Sequence, residues 1–220
     1  MLHDLTRRVY RSAAFRLQRM SMQADKRGRE LDFKRMNLPA EIKTWTSKFE
    51  LAALYKLASE CPVGGNIVEI GSYLGASTCY LAAGARERQA HLVCLDTWQN
   101  ETIPEGERDT LPEFQRNVAG AAEMITIVRK RSADLVPGDL RLPVHLAFLD
   151  ADHSYESTKS DAAAVLPLMA PDGIVAFHDS ANFRGVARVL GEILCAGEWA
   201  LAGHVDNMSW IRRATWAPTA

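Results

Sequence analysis

The sequence predicts an α/β fold: an open, mostly parallel seven-stranded sheet with helices on both faces, closed by an antiparallel C-terminal pair. Three observations carry this. From residue 66 onward, short β-branched runs alternate with segments of helical spacing. The final segments, WALAGHV (199–205) and NMSWIRR (207–213), alternate apolar and polar residues as an antiparallel pair does. Lastly, the chemically interesting polar residues fall at the ends of the predicted strands, and in parallel sheets ligands sit outside the C-terminal strand ends.

The elements follow in order. Residues 1–43 are a basic helical arm and 44–220 the body. In the arm, Leu5, Val9, Ala13, Leu17 and Met20 form an apolar side, and residues 1–36 carry ten Lys/Arg against four Asp/Glu, whereas the rest has sixteen against twenty-three. TWTSKFELAALYKLAS (44–59) reads as an amphipathic helix with a Thr or Ser cap, broken by CPVGGN. NIVEIG begins the first strand, and STCYLAAGARE reads as the helix after it. HLVCLD (91–96) is the second strand, followed by a long polar loop over 98–113, of a size associated with lids. EFQRNVAGA reads as a helix, EMITIV (123–128) as the third strand and VHLAFLD (144–150) as the fourth. YESTKSDAAAVLPLMA reads as a helix closed by PDG. GIVAFHD (173–179) is the fifth strand and FRGVARVLGEIL the last helix.

Composition excludes several classes. At 220 residues, 47% apolar and 24% charged, the chain is ordinary for a globular domain. No apolar run reaches the roughly 18 residues of a transmembrane segment. The opening residues lack the apolar core of a secretory signal, which points to the cytoplasm. Cys61, Cys79, Cys94 and Cys195 are scattered, with no CxxC pair, so they read as small buried residues rather than thiolate ligands or disulfides. An acidic body without a recognition motif argues against nucleic acid. The basic arm suits an acidic partner subunit, an anionic membrane surface or an anionic glycan, or else it packs its apolar side on the body. A homo-oligomer is expected.

VEIGSYLGAST (68–78) places Glu69, Gly71 and Gly75 as E-x-G-x-x-x-G at a strand-to-helix turn, where glycines allow close backbone approach and a helix N-terminus favours negative charge. A dinucleotide turn usually reads G-x-G-x-x-G. Here Ser72 and Tyr73 stand in place of the middle glycine. Asp96 ends the next strand, positioned to accept hydrogen bonds from ribose hydroxyls.

Together with RKRSADLVP (129–137), FLDADHSY (148–155) and FHDS (177–180), these segments resemble the class I S-adenosylmethionine-dependent methyltransferases. Within that group the chain looks like the small-molecule O-methyltransferase branch, which includes catechol-type and macrolide-sugar enzymes. The resemblance covers roughly residues 45–213 and implies a Rossmann-like sheet with S-adenosyl-L-methionine as cofactor. It further implies Glu69 and Gly71 at the methionine end of the cofactor, with Ser72, Tyr73, Gly75 and Ser77 around the same turn, and Asp96 at the ribose. Thr97, Trp98, Ser132 and Ala133 would lie near the adenine, Trp98 as a stacking wall. Asp150 would border the cofactor.

Asp150 and Asp179 end adjacent strands and would repel each other unless protonated or neutralised, for instance by a hard dication such as Mg²⁺. His153 follows Asp150 by three residues; in the resembling families a Lys or His here takes the substrate proton, and imidazole suits a general base near neutrality. Asp152 reads as a helix cap. The family usually adds an Asn or Asp oxygen beside the second aspartate, where this chain has Ser180 and His178. Imidazole suits a transition metal better than Mg²⁺, so three arrangements stay open: two carboxylates with water around the ion, a different metal, or no metal with reliance on His153. His178 reads either as a ligand or as a hydrogen-bonding residue that holds His153 or Asp150. Asn182 and Arg184 are candidate substrate contacts. The acceptor expected is a hydroxylated small molecule, a sugar, glycan or natural-product intermediate. The alternatives are an NAD(P)-dependent oxidoreductase on a similar sheet, against which the missing G-x-G-x-x-G counts, and a non-catalytic S-adenosylmethionine-binding or assembly module.

Overall fold

A computed structural model describes residues 26–101 and 106–214. The apolar arm positions Leu5 to Met20 lie outside the described residues. What is described of the arm is helix α1 (Lys26–Arg35), which docks on the body: Phe33 meets Tyr80 edge-on at 4.8 Å, and buried Asp32 accepts a hydrogen bond from Tyr55 Oη at 2.8 Å.

Helix α2 (Lys48–Ser59) starts at Ser47 through a capping box: Glu50 N donates to Ser47 Oγ, and Ser47 N donates to Glu50 Oε2. Strand β1 (Asn66–Ile70) leads to helix α3 (Ala76–Ala85), then β2 (His91–Asp96), helix α4 (Leu111–Asn117) and β3 (Ile125–Arg129). Strand β4 (Val144–Leu149), helix α5 (Tyr155–Val165), β5 (Met169–Phe177), helix α6 (Arg184–Cys195), β6 (Trp199–Val205) and β7 (Met208–Arg213) complete the chain.

The seven strands form one sheet in the order β3-β2-β1-β4-β5-β7-β6. The pairs among β1 to β5 are parallel, while β7 runs antiparallel to both β5 and β6. Alternation along the buried strands sends side chains to two cores. Ile67, Leu92, Leu146 and Phe148 pack with α2 and α3. Val68, Val93, Ala147 and Phe177 pack on the opposite face with α5 and α6. Chain order reverses between β1 and β4, the position where an open parallel sheet leaves a crevice at its C-terminal edge.

Four expectations are corrected. The helix from Tyr155 stops at Val165, because Pro167 removes an amide donor and leaves a 3₁₀ turn over Leu166–Leu168. The fifth strand therefore begins at Met169, and the Pro171–Gly173 segment lies inside it, with a register shift against β4 between Val144 and Leu146. The segment 113–121 divides into α4 and a 3₁₀ stretch (Ala119–Met124), so β3 starts only at Ile125. Cys195, the last residue of α6, is exposed, unlike the three buried cysteines.

Asp161 is a buried carboxylate on α5, and its Oδ1 meets no partner among the described residues. Burial lifts the group from 3.8 to about 6 despite a hydrogen bond with Ser132. An acid whose folded value is raised favours folding below its unfolded value, and that contribution is lost as pH rises through the interval. Asp161→Asn is therefore expected to stabilise the protein at pH 7 by up to about 3 kcal/mol, and to change little near pH 4. Urea unfolding at the two pH values measures this; an equal effect at both would remove ionisation as the cause.

Candidate active site

The C-terminal edge of the sheet brings four segments together. The turn after β1 lies against the end of β4: Gly71 has φ +90°, and a Cβ there would sit 2.1 Å from the main-chain oxygen of Asp150. Asp150 N in turn donates to Ile70 O at 2.8 Å. Beneath the turn, fully buried Glu69 accepts from Ser72 Oγ (2.7 Å), Ser77 Oγ (2.6 Å) and Thr78 Oγ1 (2.5 Å). Burial pushes its carboxyl up against the pull of these hydroxyls. Glu69, Ser72 and Ser77 thus spend their side chains bracing the turn from inside. Glu69 and Ser77, expected at the methionine end of the cofactor, meet each other through their side chains beneath the turn.

Asp96, at the end of β2, closes over the same turn. Its Oδ2 accepts from Ser72 N (2.8 Å) and Tyr73 N (2.9 Å), and its Oδ1 from Trp98 N (2.7 Å). One carboxylate so fixes the turn and leaves a lone pair of Oδ1 unspent. Trp98 does not form a stacking wall. Its ring is 0% exposed, packs on Phe114 at 4.9 Å and donates its indole N–H to Tyr73 O. Half-buried Thr97 accepts from Gln99 N through Oγ1. Beyond β3, Ser132 is half-buried, Ala133 exposed, and Lys130 N donates to Asp96 O at 3.1 Å, tying that segment to the β2 end. Gly75, with φ +89°, starts α3 without a side-chain cap.

At the ends of β4 and β5, ligand-type atoms of Asp150, His153, His178 and Asp179 all lie within 4.8 Å of one another. His153 Nε2 is 3.4 Å from both Asp150 Oδ1 and Asp179 Oδ2. Its ring rests on Phe183 at 4.4 Å. His178 Nδ1 is 3.0 Å from Asp150 Oδ1 and 3.5 Å from Asp179 Oδ2. Its other nitrogen faces Glu50 Oε2 at 3.4 Å. Burial opposes charge on His178, yet Asp150, Asp179 and Glu50 outweigh burial and push it up to about 12. Burial likewise raises Asp179, but His178 and His153 overcome it and hold the carboxyl below its ordinary value.

The neighbours resolve which residue joins this cluster. Ser180 Oγ turns away, bonded to Asn207 O and Ser209 Oγ. Asp152 accepts from Ser154 N and Oγ, and it is Ser154 that caps α5, its Oγ accepting from Ser157 N at 3.2 Å. Exposed Asn182 approaches Asp179, whose main-chain oxygen accepts from its N–H at 3.1 Å, and exposed Arg184 opens α6. Sequence reasoning missed Glu50. The signal was the S-x-x-E spacing of Ser47 and Glu50, which reads as a cap alone. It also missed Trp45, whose exposed ring lies 5.3 Å from that of Tyr73 beside the turn.

A family described as a methyltransferase domain matches residues 68–180, a little over half of the chain, from β1 through the end of the cluster. The chain belongs to the methyltransferase-domain family. It is a class I S-adenosylmethionine-dependent methyltransferase, and the oxidoreductase and assembly-module alternatives fall with that membership. Among curated proteins none matches the sequence. Solved structures share the fold. SAH-bound PaMTH1 of Podospora anserina aligns at TM-score 0.63 and 14% identity, over 89% of this chain and 94% of that one. The O-methyltransferase NovP aligns at 0.60 and 16%, over 80% and 84%. CalS11, a TDP-rhamnose 3'-O-methyltransferase of calicheamicin biosynthesis, aligns at 0.51 and 19%, over 86% and 94%. Among the described residues of this methyltransferase, no helix is long and apolar enough to cross a membrane.

Proposed function

We propose that this methyltransferase transfers the methyl group to a hydroxyl oxygen of a small molecule, a sugar, glycan or natural-product intermediate, with His153 as the base. The observation that carries the reading is the cluster of Asp150, His153, His178 and Asp179 beside the glycine turn. The cofactor supplies an electrophilic methyl on a sulfonium sulfur. Gly71, Gly75, Ser72 and Tyr73 present the turn to its methionine end, Asp96 accepts from ribose hydroxyls through its remaining acceptor, and Thr97, Ser132 and Ala133 border the adenine. His153 takes the hydroxyl proton on Nε2 as the acceptor oxygen bonds the methyl carbon and the carbon–sulfur bond breaks, S-adenosylhomocysteine being the leaving group. The two carboxylates at 3.4 Å stabilise the imidazolium produced. Asn182 and Arg184 stand where an acceptor enters. The donor spacing of Asp150, Asp179 and His178 fits a divalent metal, which would supply Lewis acidity to the acceptor hydroxyl. Likeness to NovP and CalS11 supports oxygen as the nucleophile, and CalS11 supports a sugar.

The test has two parts. Titration with S-adenosylhomocysteine is expected to show micromolar binding, and Asp96→Ala to weaken it by about 1.5–3 kcal/mol, the scale of a charge-assisted hydrogen bond. Unchanged affinity would remove Asp96 from the ribose role. Methyl-labelled cofactor incubated with nucleotide sugars and polyhydroxylated natural products is expected to label oxygen. Label carried only by nitrogen or carbon acceptors would overturn the reading.

A further inference from the structure

We propose that the cluster is built for a first-row transition-metal dication in preference to Mg²⁺, with Asp150 Oδ1, His178 Nδ1 and Asp179 Oδ2 as ligands and Glu50 as the outer carboxylate that aims His178. It rests on the reading of these residues as the reaction centre, and it names the metal class and a residue from a separate helix.

The spacing comes first. Two donors each about 2.1 Å from one cation lie about 3.0 Å apart at a right angle and about 3.4 Å apart at the tetrahedral angle. His178 Nδ1 stands 3.0 Å from Asp150 Oδ1 and 3.5 Å from Asp179 Oδ2, so the nitrogen already has the separations from both oxygens that a shared cation would set. The donor set is mixed nitrogen and oxygen. Imidazole suits Zn²⁺, Fe²⁺, Co²⁺ or Ni²⁺, whereas Mg²⁺ selects oxygen ligands and water. The side chain that would complete an oxygen-only triad, Ser180, is committed to Asn207 and Ser209 on the β6–β7 side.

Glu50 then explains why His178 presents Nδ1. The imidazole is 3% exposed, and its Nε2 faces Glu50 Oε2. Glu50 is itself 1% exposed and cannot swing, because Ser47 N holds Oε2 at 2.7 Å and Asn207 N holds Oε1 at 2.8 Å. Helix α2 and the hairpin therefore fix a carboxylate behind the histidine. A carboxylate that accepts Nε2–H keeps that proton in place while the cation displaces the one on Nδ1 and takes its lone pair, the usual arrangement behind a ligating histidine. Glu50 is a positioning residue: it reaches the metal only through His178. His153, 3.4 Å from the same two carboxylate oxygens and against the Phe183 ring, is kept for the proton by the proposed function and so left outside the ligand set.

The experiment uses the full chain stripped by chelator and titrated with Co²⁺, followed by its visible absorption bands, and with Zn²⁺ and Mg²⁺ by calorimetry. Co²⁺ and Zn²⁺ are expected to bind one per chain at least 100-fold more tightly than Mg²⁺. His178→Asn places an amide oxygen at the position of Nδ1, so the preference is expected to shrink to within about tenfold, with an altered Co²⁺ spectrum. Glu50→Gln preserves the capping box and is expected to weaken Co²⁺ binding about 10- to 100-fold. His153→Ala is expected to leave metal affinity within a few-fold. Mg²⁺ binding as tightly as Co²⁺, or Co²⁺ binding unchanged in His178→Asn, would overturn the proposal. Affinity for S-adenosylhomocysteine, measured on the same samples, is expected to survive in every variant. Loss of cofactor binding in the unmodified chain would instead defeat the methyltransferase site itself.

Discussion

Replacement of His153 by alanine is expected to lower turnover by about 10² to 10⁴, the usual contribution of a positioned general base, while affinity for S-adenosylhomocysteine stays as it was. The geometry separates the two effects. His153 belongs to the turn between β4 and α5, and its contacts are Asp150, Asp179 and the Phe183 ring. The turn that the cofactor requires is held by Glu69 and Asp96, which His153 does not touch. Single-turnover rates with a saturating acceptor would measure the loss free of product release. A rate near that of the unmodified enzyme would place the proton on another group. The fall must also appear in the turnover number and not only in the Michaelis constant, since a residue that merely lines the acceptor pocket would move the latter.

The strand framework was legible because buried parallel strands leave a plain trace. HLVCLD and VHLAFLD are apolar runs ending in an acid, and the structure starts and ends β2 at the expected residues. The convergence of Asp96, Asp150 and Asp179 on one edge follows from topology alone once the strands are parallel. What escaped were properties set by three-dimensional neighbours. An aromatic after an acidic strand end reads as a ligand platform. Trp98 instead turns under the loop because Phe114, sixteen residues on, offers a ring to pack against and Tyr73 offers a carbonyl to its indole. Glu69 looks like a ligand group in the string of letters. Only the fold shows that three hydroxyls from the next nine residues consume it. Glu50 was hidden for the opposite reason, since a capping glutamate needs no further role. Its second partner, His178, lies 128 residues away and meets it only because β5 ends beside the start of α2.

Gly71→Ala is expected to be the most damaging single-methyl change in the site. Two costs combine. At φ +90° any β-carbon strains the backbone, by about 1–2 kcal/mol, and here the new methyl would also lie 2.1 Å from Asp150 O. That second contact is with backbone at the end of β4, which cannot rotate aside as a side-chain tip would. Gly64→Ala supplies the control, because Gly64 has φ +73° and nothing within 4 Å of its would-be Cβ, so it reports the backbone cost alone. Gly71→Ala should exceed it by at least about 2 kcal/mol in urea unfolding, in the range that only steric overlap or a comparable mechanism produces. It should also weaken S-adenosylhomocysteine binding and metal binding together, because the turn and Asp150 are pressed against each other and one cannot move without the other. Gly64→Ala should leave both affinities intact. Equal destabilisation by the two substitutions would mean that the β4 end yields, and that the cofactor turn and the carboxylate cluster are not mechanically joined at this contact.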